Sequence, residues 1–484
     1  MGSGLAAIDA TVVGIALAAI GKDFKVGVGS LQWVTNAYTL TLAGFLLVGG
    51  NLGDRYGRRR VFLTGVVWFT AASVLCSAAP DAPVLIGARA LQGAGAALLV
   101  PGSLAILQAS FVEEDRSKAI GAWSGLGGVA TAIGPFLGGW LITAVSWRLV
   151  FLINLPVSAA VVAITVRHVP ESKAEHGGGP LDLAGAAVFT AGLAGLTYAL
   201  IGAPADGWAS AVSLSGLAGG TALLVTFLVL EARAEGPMLP LELFKSRQFS
   251  ASNAVTLVDY AALGGGLFLL PVVLEQVAHY SPLEAGASLL PVTAIMLVLS
   301  GRSGAIAARI GPRLQMTTGP LVIAAGLALL ARIDARGSYI TEVLPALIVF
   351  GLGLAINVAP LTATALSAAP ADRAGTASAV NNDVARLGSL VAVAVLPVVA
   401  GISGDSYLHP GPFLHGFRTA VFVAAATCAA GGALAGFTIT NPGRGPRPPA
   451  LRRALHCALD APPLGNEDGP VTEETSHGGQ GAGA

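Results

Sequence analysis

The chain has 484 residues, 54% of them hydrophobic and only 11% charged, with 27 Lys and Arg balanced by 27 Asp and Glu. Soluble domains carry about 45–50% apolar and roughly 25% charged residues, so this composition, with a mean hydropathy of +0.72, excludes a soluble globular protein. A net charge of zero leaves no basic field for nucleic acid.

A membrane-crossing helix needs about 20 apolar residues, and apolar runs bounded by charges, Gly or Pro predict fourteen spans. They fall at roughly 5–20, 30–53, 61–79, 83–108, 118–145, 149–168, 182–202, 210–231, 248–275, 283–308, 315–333, 340–367, 377–402 and 415–438. The first span is short, at about 16 residues against the usual 17–25, and no basic flank precedes it. It is read as a retained helix that is either tilted and frayed or lacks residues upstream of Met1; the second alternative is preferred. An even number of spans puts both ends of the chain on one side. Arg55, Arg58, Arg59, Arg60, Arg116, Lys118, Arg167, Lys173, Arg233, Lys245, Arg247, Arg302, Arg309, Arg313 and Arg373 lie in one set of loops. The other set has only Lys22, Lys25, Arg148, Arg332, Arg336 and Arg418. By the positive-inside rule both termini are expected in the cytoplasm of an inner-membrane, multi-pass protein. Trp33, Trp140, Trp147 and Trp208 fall near the opposite helix ends, where an interfacial aromatic belt is expected.

The turn after the second span is the most specific signal. Gly50, Asp54, Arg55, Gly57, Arg58 and Arg59 form a dense charge cluster between two apolar runs. Asp54 and Arg58, four residues apart, can pair with each other or with a neighbouring helix end; pairing in one conformation only makes a latch, whereas an Arg-rich stop signal merely fixes topology. Gly50, Arg55, Gly57 and Arg59 recur as Gly304, Arg309, Gly311 and Arg313 at a constant offset of 254 residues. The stretch from Gly93 to Pro101 similarly resembles that from Gly351 to Pro360. Such internal repetition points to two structural halves, here an N-terminal six-helix bundle (1–168) and a C-terminal one (248–439). An inserted helix pair (169–247) lies between them, and a disordered cytoplasmic tail (440–484) follows.

Buried charges are the other candidates, since an ionisable residue inside a span is expected to face the bundle interior with a partner. Arg89 is one, with Gln92 on its helical face; structural pairing and a functional role both account for it. Asp9 is the first such acid, and Asp259 lies near the midplane, where desolvation lets a carboxyl take up and release a proton in the physiological range. Asp383 has Arg386 three residues on, and a neutralising structural ion pair is expected there. Gly134, Pro135, Gly138 and Gly139 bring small residues and a bend to the fifth span, for helix packing or for a seal between the halves. Cys76 and Cys428 are read as fillers of apolar runs. The chain's one Gly-Lys pair, Gly21-Lys22, is followed by Asp23, so no phosphate-binding loop of the ATPase type is present. No nucleophile-and-base pair suggests an enzyme, and no metal or other cofactor is implied.

These motifs together resemble the major facilitator superfamily, and within it the 14-spanner drug:proton antiporters. The 50–60 turn matches the cytoplasmic-loop signature, Arg89 to Gly95 the fourth-helix signature, and Gly134 to Gly139 the fifth-helix motif of exporters. Asp9-Ala-Thr-Val-Val resembles the first-helix motif, and Trp147-Arg148 through Asn154-Leu-Pro156 the start of the sixth helix. The resemblance implies two six-helix bundles and alternating access. It also implies proton-coupled export of an amphipathic or hydrophobic small molecule by a monomer in the bilayer, without a cofactor. Asp9 then contacts substrate or couples protons, Arg89 joins in proton coupling and Asp54 belongs to the gate. Ala308 stands where Asp54 would repeat, and Asp259 has no counterpart in the pattern. Uptake by proton symport and a non-transporting sensor are the alternative readings.

Overall fold

In the computed structural model, residues 2–110, 113–173, 181–234, 236–335, 338–370 and 373–441 are described. The expected tail lies outside them, apart from its first residues. Fourteen helices among these residues are long and apolar enough to cross a membrane. Helices are dictated by the solvent: lipid offers no hydrogen bonds, so each span must satisfy its backbone internally.

In chain order the spans are α1 (Gly2–Phe24), α2 (Val28–Tyr56), α3 (Arg58–Ala78), α4 (Ala82–Ser110) and α5 (Glu113–Ala144). Then come α6 (Leu149–His168), α7 (Leu183–Asp206), α8 (Ala211–Arg233), α9 (Arg247–Gln276) and α10 (Pro282–Ile310). The last four are α11 (Arg313–Leu330), α12 (Tyr339–Ser367), α13 (Ala374–Val399) and α14 (Pro410–Thr438). Local sequence sets the boundaries. Ser281 and Glu284 form a reciprocal capping box at the start of α10. Gly57 and Gly311 take φ values of 115° and 90° at the two related turns, a region that side-chain-bearing residues rarely enter. The first helix corrects the sequence expectation: α1 runs to Phe24, because Gly21-Lys22-Asp23 continues the helix and does not end it.

Two six-helix bundles result. In the first, α2, α3 and α4 pack together and α1 lies against α5; in the second, α9 packs with α13 and α14, and α11 with α12 and α14. The bundles meet along two seams related by the repeat, α2 on α13 and α5 on α10, with α1 touching α9 between them. The inserted α7 and α8 pair with each other, and α7 lies against both α2 and α13, through Leu40, Leu193 and Leu390.

The two ends of this assembly differ. At the end away from the arginine-rich turns, one continuous core joins the halves, including Val12, Leu17, Ile20, Leu31, Phe268, Leu274 and Phe413. Toward the arginine-rich end each half has its own core, Leu5, Leu42, Phe62, Phe69 and Leu99 in one and Ala251, Val255, Met316 and Leu361 in the other. The hydrogen bonds between the two bundles follow the shared core. Val28 N donates to Gly404 O (2.8 Å), Gln32 Nε2 to Val393 O (2.6 Å), Asn36 Nδ2 to Leu390 O (3.3 Å) and Tyr407 Oη to Val26 O (2.8 Å).

Candidate functional site

The first half buries a polar cluster built by α1, α3, α4 and α6. Asp9, Ser73, Arg89, Gln92 and Asn154 are all at most 1% exposed. Arg89 Nη1 reaches Asp9 Oδ2 at 2.5 Å and Gln92 Oε1 at 2.6 Å, while its Nε donates to Val34 O at 3.1 Å. Gln92 Nε2 and Asn154 Nδ2 both donate to Asp9 Oδ1, at 2.7 and 3.0 Å, and both also donate to Ser73 Oγ. Three donors thus face the Asp9 carboxylate, in keeping with its acceptor-only chemistry. The guanidinium lies over the Tyr38 ring, 4.3 Å from its centroid, an arrangement that stabilises a desolvated cation.

The second half buries an acid too, with different company. Asp259 on α9 is 0% exposed; its Oδ2 accepts from Asn357 Nδ2 of α12 at 2.7 Å and its Oδ1 from the Cys428 thiol of α14 at 3.9 Å. Among the described residues no cation pairs with it, and Asn357 Oδ1 has no partner. Cys76 similarly donates to Gln92 Oε1 at 3.6 Å, so each buried cysteine read as filler borders one of the two acid clusters.

Asp383 and Arg386 do not form the expected ion pair. Asp383 Oδ1 and Arg386 Nε are both buried without a hydrogen-bond partner. They share α13 at a spacing that permits contact, but no hydrogen bond or ion pair joins them among the described residues. Among the described residues, no group of His, Cys, Asp and Glu could hold a metal ion.

At the charged turn, Asp54 pairs with Arg58 within one helical turn, Arg58 Nη2 and Nε both lying 2.8 Å from Asp54 Oδ1. Arg55 lies beside the Tyr56 ring, and Gly50 faces Pro101. Nothing local in the sequence points to the clamp on this turn. Glu171, three residues beyond α6, accepts from Arg59 N at 3.0 Å and Arg60 N at 3.2 Å, while Arg59 Nη2 donates to Val166 O at 2.9 Å. The second half repeats it. Asn441, three residues beyond α14, accepts from Arg313 N at 3.1 Å, and Arg313 Nε donates to Gly436 O at 2.9 Å. In both halves a side-chain oxygen satisfies orphan N–H groups at a helix start.

The fifth-helix motif lies where α5 meets its neighbours. A side chain at Gly134 would strike Thr11 of α1, and one at Gly138 would strike Val12. Gly139 sits against Pro282 O, and Gly286 of α10 against Pro135 O. Close backbone approach at this seam is possible because these residues are small. Of the four expected belt tryptophans, Trp140 and Trp208 are about half exposed, but Trp147 is 95% buried, at 5% exposure. Its Nε1 donates to Asp23 Oδ2, which also accepts from Arg148, so it closes the end of the first half away from the arginine-rich turns and does not face lipid. Near the other end, Arg373 donates to Glu242 at 2.9 Å, and that hydrogen bond holds the Glu242 carboxyl below its ordinary range.

Several residues of these sites were not singled out as site residues by sequence. Ser73 and Asn357 carry no signal beyond being polar in a span, whereas Asn154 stands inside the sixth-helix motif.

A family model described as "Major Facilitator Superfamily" matches residues 1–393. Among curated proteins, the chain is 36% identical over 404 residues to the "Multidrug resistance protein Stp" of Mycobacterium tuberculosis, covering 83% of this chain and 75% of that one. It is 35% identical to the "Tetracenomycin C resistance and export protein" of Streptomyces glaucescens, with coverages of 83% and 75%. Identity to the "Puromycin resistance protein pur8" of Streptomyces alboniger is 36%, with coverages of 84% and 81%. Among solved structures, the POT family transporter PepTSo superposes with a TM-score of 0.64 at 14% identity, covering 90% of this chain and 96% of that one. The inward-open xylose transporter XylE from E. coli gives 0.62 at 13%, covering 92% and 95%. At such identities these likenesses speak for the fold alone.

Proposed function

We propose a function from one premise: this chain belongs to the Major Facilitator Superfamily. It exports an amphipathic or hydrophobic small molecule, such as a drug or antibiotic, in exchange for protons. The names of the curated relatives, which are resistance and export proteins, support the direction and the cargo class.

The observation that carries the reading is an asymmetry along the membrane normal. The halves share a core at one end only, and each buries an acid in its first helix. With the arginine-rich loops cytoplasmic, the structure is closed outward and divided inward. Asp9, Arg89 and Asp259 are the proton-coupling residues. A proton binding one of these acids shifts the balance between inward-open and outward-open states only through differential affinity, and cargo must favour the opposite state. Gly50, Asp54, Arg55, Gly57, Arg58 and Arg59 form the cytoplasmic gate. In the inward-open state Asp54 is engaged within its own turn; on closing it turns to the second half. Gly134, Pro135, Gly138 and Gly139 let α5 slide on α10 as the outer seam opens.

Energised everted vesicles from an expressing strain should accumulate cargo from a resistance-profile panel, and adding cargo should release protons. Absence of flux for every compound to which the strain gains resistance would overturn the export reading. Intact cargo-driven proton release in Asp259→Asn would remove Asp259 from the coupling.

A further inference from the structure

α13 carries a charge the mechanism above does not use. Arg386 sits midway along its helix, about 18 Å from either end at ~1.5 Å per residue, where an uncompensated guanidinium costs at least about 2.5–3.5 kcal/mol on insertion scales. Arg89 meets that cost with Asp9, Gln92, Val34 O and the Tyr38 ring. Arg386 makes no hydrogen bond or ion pair with any described residue, and its Nε is buried without a partner.

Its helical face points inward. The next turn of α13 is fixed on both sides: Leu390 O accepts from Asn36 of α2, and Ser389 Oγ lies 3.4 Å from Tyr260 O of α9. Arg386 therefore projects between the second helix of one half and the first helix of the other. On α2, two residues beyond Asn36, the buried Tyr38 hydroxyl is without a hydrogen-bond partner. Toward the arginine-rich end the same face continues with Asn382 and Ser378, neither of them buried. This polar line leads from the open end to the midplane, and a polar stripe inside a span faces a water-filled path.

We propose that Arg386, with the Tyr38 hydroxyl, is the recognition site for an acidic group on the exported molecule: a carboxylate, sulfonate or acidic enol attached to an apolar body. This rests on the export reading and specifies the cargo class. A guanidinium fork matches a two-oxygen anion in a way an ammonium does not. The site spans both halves, so an anion bound there contacts both and loses one set of contacts when they rock apart. Asp383, three residues away with a free carboxylate oxygen, is the like charge that an incoming anion meets beside Arg386.

The test uses the full chain in proteoliposomes with an imposed pH gradient, and naphthyl amphiphiles that differ only in a carboxylate, sulfonate, amide or trimethylammonium head. The wild type should prefer the carboxylate and sulfonate probes to the trimethylammonium probe. Arg386→Gln should lose that preference by about tenfold or more, the scale of one charged hydrogen bond, while moving the amide probe as the wild type does. Arg386→Lys should keep part of it, and Asp383→Asn should strengthen it. Monodisperse elution and unchanged thermal midpoints would verify folding of each variant. An Arg386→Gln protein that slows all heads equally, or leaves the head preference intact, overturns the proposal while leaving export standing. A wild type that moves no head group, the amide included, overturns both.

Discussion

Asp9 and Asp259 lie at comparable depth, each in the first helix of its half, about 22 Å and 25 Å from the outer helix ends at ~1.5 Å per residue, yet they are held in opposite ways. Asp9 is locked by a cation and two amides from two other helices, α4 and α6. Asp259 meets one amide and a weak thiol donor. A carboxylate in an ion pair binds a proton only if the pair breaks, whereas a lone buried carboxyl exchanges one without dismantling its surroundings. Within the coupling proposed above, the difference suggests distinct parts for the two halves: the Asp9–Arg89 pair couples as a charged strut, and Asp259 as the site that exchanges the proton.

The sharpest way to break this comparison is at the strut. Arg89→Gln leaves Asp9 buried beside no cation, and losing one member of a buried pair costs about 3–5 kcal/mol. Thermal unfolding in detergent should therefore move down strongly, with transport abolished; a midpoint within a degree or two of the wild type would mean that Asp9 is not held by charge. The counterpart, Asp259→Asn, strands no cation and keeps an acceptor for Asn357, so its stability should shift by less than about 1 kcal/mol while cargo-driven proton release is lost. Similar destabilisation in the two variants would erase the distinction.

A smaller effect is expected at the seam between the halves. Gly286→Val drives a side chain into Pro135 O, an overpacking worth about 1–3 kcal/mol. Spin labels at the outer ends of α5 and α10 should move apart in the variant. At the turn clamp, Glu171→Ala removes an N-terminal cap and should cost about 1 kcal/mol, measured as a lower denaturation midpoint. The smallest effect is at Glu242. Its carboxyl is held low by Arg373, so the contact's contribution is fully present above the ordinary carboxylate range of about 4.3 and is lost as pH falls through the lowered folded value. Wild type and Glu242→Gln should differ in midpoint at neutral pH and converge in strong acid.

Much of the architecture was legible in the sequence because lipid forces a simple rule on the chain, and the run of fourteen apolar segments obeys it. The repeat was legible for a local reason: tight turns need glycine at Gly57 and Gly311, and those glycines survive in both halves. What escaped was side-chain direction. Asp383 and Arg386 have the spacing of a pair, but spacing on a helix permits contact without requiring it, and here no hydrogen bond joins them. Asn154 and Ser73 were invisible as members of the Asp9 cluster because three helices distant in sequence must converge before either has a partner. Glu171 and Asn441 lay in loop stretches with no periodicity, so nothing local linked them to the arginine turns they hold.

The hydrogen bonds that join the halves at the outer end all terminate on main-chain carbonyls, of Gly404, Val393, Leu390 and Val26. None of their donors or acceptors is ionised. Ionic strength outside the cell accordingly has little purchase on them, and swapping the acceptor residues' side chains leaves the acceptors in place. On the export reading proposed above, the strain that parts this closure comes from the buried acids and the cargo, and the external medium is a bystander to the timing of release.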